Sequence, residues 1–364
     1  MSFTAIDHQH MAHALRLAER GLFTTQPNPR VGCVIAHGDA VVGSGWHQRA
    51  GEPHAEVFAL REAGERARGA TAYVTLEPCA HHGRTPPCAD ALVAAGVARV
   101  VIAAEDPFPQ VAGRGIAVLR AAGIAVDGGL LRDKARELNI GFFSRLERGR
   151  PFVRVKLAMS LDGRTALANG ESKWITGDAA RADVQRWRAR SSAVLTGSGT
   201  VLADDPRLTA RLPEGTPHVP PLRVVLDRRL RTPPGSHVLD AAAPTLLLHG
   251  PHAVTPDAPH AGVEYAEVAE RDGALDLSAV LALLTARDCN EVHVEAGPTL
   301  CGALFAAGLA DELLLYVAPV LLGDGARALL ALPPLESMAG RWRLDVVDQR
   351  QVGADWRLRL RPKP

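Results

Sequence analysis

Four side chains, those of His54, Glu56, Cys79 and Cys88, have the types and the spacing of a catalytic metal centre. One imidazole and two thiolates favour zinc, and three protein ligands leave the fourth tetrahedral position open to a water molecule. Zinc lowers the pKa of such a water to near neutral, so that it can attack a ring carbon bearing an exocyclic amine. Glu56 would then carry a proton from the water to the departing nitrogen. The four residues therefore predict a zinc-dependent hydrolytic deamination.

The order of these residues matches the signature of zinc-dependent base deaminases, in which H-x-E precedes P-C-x-x-C. Pro78-Cys79 begins the second half of the signature, but Cys88 follows after eight residues instead of two. A structural zinc site is the alternative, because such sites use four protein ligands and His81 or His82 could supply the fourth. The offset of Glu56 from the first ligand favours the catalytic interpretation.

The length predicts two domains, and the composition gives no support for a nucleic-acid partner. The 364 residues are enough for two domains that each bury a core. Lys and Arg number 41 against 40 Asp and Glu, and without a basic block this +1 net charge does not favour nucleic acid. The five cysteines do not suit a disulfide framework. Because neither a secretory signal nor a membrane-spanning apolar run is found, we expect a cytoplasmic protein without a membrane partner.

In the first half of the chain, predicted helices alternate with predicted strands, which indicates an α/β fold. The hydrophobic spacing predicts helices at about 7–21, 54–63, 88–95 and 115–122, and strands at 31–36, 41–46, 72–76 and 97–103. Cys88 then lies in the first turn of a helix, where the helix dipole favours a thiolate. The polar run 144–151 predicts a linker between the domains.

The second half also alternates between strands and helices. The predicted helices are 178–190, with Asp178 as N-cap, and 298–307, and the predicted strands are 152–159, 193–196, 223–226, 245–249, 291–295, 312–317 and an antiparallel pair at 343–348 and 356–361. Glycines at 195–200 and 295–300, and arginines at 207, 211, 228 and 229, are candidate phosphate-binding groups. Taken alone, each of these segments is about as consistent with an ordinary turn.

Several longer segments resemble the family of bifunctional riboflavin-biosynthesis deaminase–reductases. The matching segments are 27–35, 45–47, 50–56, 77–79 and 83–88 in the first half, and 156–164, 170–176, 202–206 and 294–298 in the second. The eight-residue gap between the cysteines is typical of this family. The resemblance covers nearly the whole chain. It implies an α/β protein with a cytidine-deaminase-like three-layer domain over residues 1–147 and a dihydrofolate-reductase-like domain over residues 151–364.

The resemblance also implies two reactions. The first is zinc-dependent deamination of 2,5-diamino-6-ribosylamino-4(3H)-pyrimidinone 5′-phosphate. The second is NADPH-dependent reduction of the ribosyl side chain of 5-amino-6-(5-phosphoribosylamino)uracil to ribityl. His54, Cys79 and Cys88 are implied as zinc ligands, and a homo-oligomer is expected by analogy.

Further site residues follow from the resemblance, position by position. Cofactor contacts are implied at Ala158, Trp174, Thr200, Asp204, Arg228, Gly297, Pro298, Thr299, Leu300, Cys301, Gly302 and Ala303. Substrate contacts are implied at Asn28 and His47 in the first domain, and at Ser172, Arg188, Arg207, Arg211 and Glu295 in the second. Lys156 and Asp204 are the candidates for charge stabilisation and proton delivery during hydride transfer.

Three alternative interpretations remain open at the level of the sequence. The chain could be a deaminase whose second domain does not catalyse, a deaminase of bases in nucleic acid, or a binding protein that zinc merely stabilises. The even charge balance counts against nucleic acid, and the intact second-half segments count against a non-catalytic second domain.

Overall fold

The computed structural model describes residues 3–80, 87–109, 111–256 and 260–363. The chain divides into two compact units, Met1–Gly149 and Arg150–Pro364. Each unit is built around one main β-sheet.

The first unit contains a five-stranded mixed sheet. Its strands are β1 Gly32–His37, β2 Ala40–Trp46, β3 Thr71–Val74, β4 Arg99–Ile102 and β5 Ala125–Gly128. They lie in the order β2-β1-β3-β4-β5, where β1 is antiparallel to both of its neighbours and the pairs β3–β4 and β4–β5 are parallel. The helices are α1 Ala5–Glu19, α2 Ala55–Ala63, α3 Cys88–Ala94, α4 Arg114–Ala121, α5 Arg132–Leu138 and α6 Ile140–Arg148, with a 3-10 helix at Gly64–Ala67.

The helices of this unit cover both faces of its sheet. Side chains of α2, α3 and α4 pack on one face, and side chains of α1, α5 and α6 pack on the other. This arrangement confirms the three-layer α/β architecture that the resemblance implies.

Two glycines of β2 allow α2 to lie directly against the sheet. A Cβ at Gly43 would lie 2.2 Å from the carbonyl oxygen of Ala59, and one at Gly45 would lie 2.5 Å from that of Ala55. Both alanines are fully buried. Because these neighbours are backbone atoms, a side chain at either position would push the helix away from the sheet.

The second unit contains a nine-stranded sheet. Its strands are β6 Phe152–Ser160, β8 Ala193–Gly197, β9 Leu222–Leu226, β10 Thr245–His249, β11 Val263–Glu267, β14 Glu291–Val294, β15 Glu312–Ala318, β17 Leu344–Val352 and β18 Asp355–Pro362. The order is β11-β10-β9-β8-β14-β6-β15-β18-β17. The strands from β11 to β15 in this order are parallel, whereas β18 is antiparallel to both β15 and β17.

The remaining elements of the second unit surround this sheet. Two small antiparallel pairs join β7 Arg164–Ala166 to β16 Arg327–Ala328 and β12 Glu270–Arg271 to β13 Ala274–Leu275. The helices are α7 Asp178–Arg190, α8 Ser198–Asp204, α9 Leu277–Ala286 and α10 Pro298–Ala306, with 3-10 helices at His237–Leu239 and Met338–Gly340. Helices α9 and α10 pack on one face of the sheet, and α7 and α8 pack on the other.

Most predicted elements are present within one or two residues, but two local details differ from the prediction. The division between the units, after Gly149, lies inside the predicted linker 144–151, but the chain is helical as far as Arg148, because buried Phe142 and Phe143 anchor α6 and its polar residues form the exposed side. The N-cap of α7 is Gly177 instead of Asp178. The backbone N–H of Gly177 donates to Asp355 Oδ2 at 2.8 Å, while Asp178 is paired with Arg181.

Some elements escaped the sequence analysis. Helix α8 begins at Ser198, inside the segment interpreted as a glycine loop. Helix α9 is capped by Asp276, which accepts the backbone N–H of Ser278 at 2.8 Å. Its high leucine content on all sides hides the helical period. Helix α5 and the edge strand β5 are short, so they carry little periodic signal.

The centre of the nine-stranded sheet contains a buried ion cluster. Arg154 on β6 contacts Glu312 at 2.7 Å and Glu291 at 3.0 Å, and all three side chains are fully buried. Burial opposes ionisation of Glu312, but the charges of Arg154 and Arg359 outweigh it and lower the pKa of Glu312 to about 2. The cluster is therefore ionised at neutral pH.

We predict that Gly45→Ala destabilises the first unit by about 1–3 kcal/mol, because the new methyl group meets the backbone of α2. Gly128→Ala is the matched control, since a Cβ there meets nothing within 4 Å. Thermal unfolding followed by circular dichroism measures both variants. Equal stability of the two variants would contradict the close approach.

We also predict a pH-dependent contribution of Glu312 to stability. The pKa in the folded state is about 2, below the ordinary value of 4.5, so the contribution is complete above pH 4.5 and is lost as the pH falls towards 2. Its size is about 3 kcal/mol. In urea titrations at a series of pH values, the difference between the wild type and Glu312→Gln should shrink as the pH falls. A constant difference would exclude this account.

Candidate functional site

In the first unit, His54, Cys79 and Cys88 converge on one point. His54 is the N-cap of α2, Cys79 lies beyond the end of β3, and Cys88 is the first residue of α3. His54 Nδ1 lies 3.6 Å from the Sγ of Cys79 and 3.3 Å from that of Cys88. One ligand atom from each residue lies within 4.8 Å of the other two. This imidazole and two thiols form the donor set that zinc prefers.

Hydrogen bonds from Cys88 favour the thiolate form of Cys79. The hydrogen bond from the Cys88 thiol is the largest effect, and together with the backbone N–H of Cys88, 3.3 Å from Cys79 Sγ, it lowers the pKa of Cys79 to about 4. A thiolate is the form that binds a metal. His81 and His82, the candidates for a fourth ligand of a structural site, lie outside the described residues.

Glu56 lies in the first turn of α2, beside these ligands. Its side chain is 3 % exposed, and its Oε2 has no hydrogen-bond partner among the residues that the structure describes. Burial raises the pKa of Glu56 to about 7. A carboxyl group with such a pKa can both accept and release a proton near neutral pH, as the predicted proton carrier must. The buried, unpaired oxygen and the donor set together fit a catalytic zinc ion.

Asn28 and His47 form a polar pair next to the ligands. The His47 ring meets the His54 ring edge-on, with centroids 5.4 Å apart. His47 Nδ1 lies 3.1 Å from the carbonyl oxygen of Pro53, and its Nε2 lies 3.1 Å from Asn28 Nδ2. These contacts suit a neutral ring that donates from Nδ1 to Pro53 and accepts at Nε2 from Asn28. The structure thus brings Asn28 and His47 to the predicted zinc centre.

In the second unit, a cleft of about 1450 Å³ opens at the carboxyl ends of β8, β9 and β14. This edge is where open parallel sheets bind ligands. Almost all site residues implied for this half line the cleft: Lys156, Ala158, Ser172, Trp174, Arg188, Thr200, Asp204, Arg207, Arg211, Arg228, Glu295, Gly297, Pro298, Thr299, Leu300 and Ala303.

The structure does not bring Cys301 and Gly302 into the cleft. Cys301 is fully buried in the main core, and its thiol donates to the carbonyl oxygen of Ala296 at 3.3 Å. A Cβ at Gly302 would lie 2.1 Å from the carbonyl oxygen of Ala331. Cys301 therefore lies in the core, whereas Gly302 packs against the backbone of Ala331. The implied cofactor segment 297–303 is therefore in contact with the cleft only through its other five members.

Arg188 and Glu295 form a bidentate ion pair in the wall of the cleft. Arg188 Nε and Nη2 lie 2.5 and 2.7 Å from the two carboxylate oxygens of Glu295. Burial would raise the pKa of Glu295, but the charge of Arg188 outweighs it and holds that pKa well below its ordinary value. Burial lowers the pKa of nearby Lys156, and the charge of Glu295 opposes this effect. Arg188 and Glu295 therefore present fixed, opposite charges to a ligand in the cleft.

Arginines form much of the remaining polar lining. Arg228 donates to Glu270 Oε2 at 3.1 Å and to the carbonyl oxygen of Gly273, so it is tied to the β12–β13 hairpin. Arg231 and Arg271, which the sequence analysis did not single out, also line the cleft. Arg231 lies in the turn after β9 and Arg271 lies on the two-residue strand β12, so neither position carries a periodic signal. Only the fold shows that Arg231 Nη2 lies 3.3 Å from Ser198 Oγ, at the start of α8.

The fold and the two sites define a two-domain enzyme with a zinc-dependent deaminase centre in one unit and a nucleotide cleft in the other. Comparison with known families agrees with this class. A model of the cytidine and deoxycytidylate deaminase zinc-binding region matches residues 4–104, and a model of the RibD C-terminal domain matches residues 151–358.

Full-length relatives cover both halves together. The chain is 52 % identical to riboflavin biosynthesis protein RibD of Escherichia coli K12, over 97 % of this chain and 99 % of the relative. The chain therefore belongs to the RibD family of bifunctional deaminase–reductases of riboflavin biosynthesis, enzymes that use zinc and NADPH.

Solved structures agree over the same length. Acinetobacter baumannii RibD superimposes with a TM-score of 0.92 at 48 % identity, covering 99 % of each chain. The diaminohydroxyphosphoribosylaminopyrimidine deaminase/5-amino-6-(5-phosphoribosylamino)uracil reductase of Thermotoga maritima gives a TM-score of 0.87 at 34 % identity, over 98 % of this chain and 99 % of that one. The implied fold class is thus confirmed. Within the described residues, every helix is too short or too polar to cross a membrane.

We predict that the purified protein holds one zinc ion per chain and that Cys88→Ser loses most of it, because a ligand atom of the cluster is replaced. Cys289→Ala is the matched control, since this buried thiol lies in the other unit. Metal analysis after dialysis measures both variants. Equal zinc content would contradict the assignment of the ligands.

Proposed function

We propose that residues 1–147 deaminate 2,5-diamino-6-ribosylamino-4(3H)-pyrimidinone 5′-phosphate and that residues 151–364 then reduce the ribosyl side chain of the product to ribityl. The observation that carries the proposal is the pairing, in one chain, of the His54–Cys79–Cys88 cluster with the arginine-lined cleft. The Thermotoga maritima relative carries both activities in its name.

In the deaminase, His54, Cys79 and Cys88 would hold the zinc ion, which would supply an activated water molecule. Glu56 Oε2, which has no hydrogen-bond partner among the described residues, would accept a proton from that water and deliver it to the departing amine. The amide nitrogen of Asn28 is engaged with His47, so the amide oxygen is left to accept a hydrogen bond from the pyrimidine. The buried position of Glu56 limits competition from bulk water.

In the reductase, the bound NADPH supplies the hydride, and the chain positions cofactor and substrate. Helix α10 begins at Pro298 and directs free backbone N–H groups towards the cleft, where they can bind a cofactor phosphate. Ala158, Trp174 and Thr200 line the space for the rest of the cofactor.

The substrate of the reductase is held mainly by charge. Arg207 and Arg211 face the cleft beside Arg188 and would bind the substrate phosphate, and Ser172 would add a hydroxyl group. Glu295 keeps Arg188 in place and would accept a hydrogen bond from a sugar hydroxyl. Lys156 would stabilise developing charge at the sugar, and Asp204 would deliver the proton.

The remaining expectations concern the setting of the enzyme. We expect a homo-oligomer by analogy with the family, and we expect it to act in the cytoplasm. Sedimentation of the purified protein at several concentrations tests the first expectation, because a monomer at all of them would contradict it.

We predict that two variants separate the two reactions. Glu56→Gln should lower the rate of deamination by about 10²- to 10⁴-fold and leave the reduction of supplied deaminated substrate unchanged. Lys156→Met should have the opposite pattern, so that each variant is the control for the other. Mass spectrometry follows replacement of the amine by oxygen without NADPH and the gain of two hydrogens with it. Loss of both activities in either variant would refute the assignment of one reaction to each domain.

A further inference from the structure

We propose that Glu77 is a positioning residue of the deaminase centre, because its carboxylate caps helix α4 and thereby fixes the segment that carries the ligand Cys79. The inference rests on the proposed zinc-dependent deamination. Glu77 was not singled out by the sequence analysis, and within the described residues the hydrogen bonds of its side chain go to backbone N–H groups.

The carboxylate of Glu77 accepts three backbone hydrogen bonds from one loop. Oε2 receives the N–H groups of Gly113 at 3.0 Å and of Asp106 at 3.3 Å, and Oε1 receives that of Ile116 at 3.2 Å. The side chain is 3 % exposed. Within the described part of the chain, no arginine or lysine forms an ion pair with it. Its buried charge is therefore stabilised by backbone N–H groups.

Helix α4 needs this carboxylate because its own sequence supplies no cap. Gly113 occupies the N-cap position with a φ of 75° and has no side chain to accept the free N–H groups of the first turn. Glu77 accepts the N–H of the N-cap residue and that of the third helical residue, which is what a capping side chain does within a helix. Its negative charge also lies at the positive end of the helix dipole. The cap comes from a distant part of the chain.

The backbone on either side of Glu77 is held as tightly as its side chain. The N–H of Glu77 donates to the carbonyl oxygen of Ala104 at 2.9 Å, and the carbonyl oxygen of Cys79 accepts the N–H of Ala89 at 3.1 Å. A Cβ at Gly115 would lie 1.9 Å from the carbonyl oxygen of Pro78. The segment 77–79 is thus fixed between β4, α4 and α3. Loosening the cap of α4 would free the ligand segment on one side.

The same loop carries a second polar group to the centre. Asp106 accepts the N–H of Phe108 at 2.8 Å, and it lies close enough to Cys79 and His54 for their charges to act on its carboxyl group. Because Glu77 binds the N–H of Asp106, one carboxylate holds both the ligand segment and this neighbouring wall of the site. A change at Glu77 should therefore alter the geometry of the centre more than its folding.

The test compares Glu77→Gln with Asp7→Asn. The Gln variant has the same shape, but its NH₂ group must face at least one backbone N–H donor. Asp7 is the matched control because it is 2 % exposed in the same unit and bonds Tyr73 at 2.8 Å and Arg99 at 2.7 Å, with no contact to the ligands. Both variants lose a buried carboxylate, so both should unfold at a lower temperature.

Three readouts distinguish positioning from simple stability. In the zinc-free protein, hydrogen exchange of the amides of Asp106, Gly113 and Ile116 should speed up in Glu77→Gln only. In the cobalt-substituted protein, the thiolate absorption bands should shift in Glu77→Gln only. With zinc restored, kcat for deamination per bound metal should fall by about 10- to 100-fold in Glu77→Gln and stay at the wild-type level in Asp7→Asn. Reduction by the second unit should be unchanged in both variants.

Wild-type exchange, spectrum and kcat in Glu77→Gln would overturn the inference, as would the same losses in Asp7→Asn. If Glu77→Gln does not fold, Glu77→Asp takes its place, since it keeps the charge, shortens the reach and should show smaller shifts in the same direction. If the wild type itself does not deaminate, the proposed function fails. The exchange and cobalt measurements then still decide the role of Glu77.

Discussion

The zinc centre depends on how closely the backbones of helices and strands approach one another. Helix α2 carries His54 and Glu56, and its distance from the sheet is set by Gly43 and Gly45, where any Cβ would strike a carbonyl oxygen. On the other side of the centre, Gly115 allows α4 to touch Pro78, next to the ligand Cys79. These contacts involve no side chains at the glycines, so they cannot relax by a change of rotamer. These contacts fix the elements whose ligand atoms lie within 4.8 Å of one another, close enough to bind one metal ion.

A second device recurs where the loops of both units need to be fixed. Carboxylates accept backbone N–H groups of distant segments where Asp162 binds Gly323 at 2.7 Å and Asp355 binds Gly177 at 2.8 Å, as Glu77 binds the loop before α4. Asp227 does the same within its own turn, where it accepts the N–H of Thr232 at 2.6 Å. The turn from Asp227 to Thr232 carries three of the arginines of the cleft. Such bonds fix loops that lack a ladder of their own. The polar lining of the cleft is thus placed by backbone geometry and not by apolar packing alone.

The sequence predicts that His54, Cys79 and Cys88 come together, and the structure brings them together, because zinc chemistry restricts residue type and order. It also predicts the alternation of strands and helices, since buried apolar runs and turn residues are local signals. The sequence does not predict local structure that depends on contacts with residues far along the chain. The polar face of α6 resembles a linker until Phe142 and Phe143 are seen to be buried. Gly177 caps α7 only because Asp355, far along the chain, accepts its N–H.

In the candidate site, too, local sequence patterns are not enough where contacts between distant segments place a residue. The resemblance implies cofactor contacts at Cys301 and Gly302, but in the structure Cys301 is fully buried in the core and Gly302 packs against the backbone of Ala331. Glu77 was missed for the opposite reason. The sequence around Glu77 gives no sign that its side chain caps a helix, because α4 begins more than thirty residues later. Contacts of this kind become visible only when the sheet brings the two segments together.

The connection between the units has a practical consequence for anyone who wishes to produce the second unit alone. Helix α6 runs to Arg148 and β6 starts at Phe152, which leaves few residues at which to begin. Arg150 is one of them, and both of its terminal nitrogens lie 2.7 Å from the carboxylate of Asp311, which also accepts the N–H of Val153 at 2.8 Å. A recombinant fragment that starts at residue 151 would discard this arginine and its two hydrogen bonds to Asp311. A fragment that starts at Gly149 keeps the ion pair between Arg150 and Asp311, next to the start of β6.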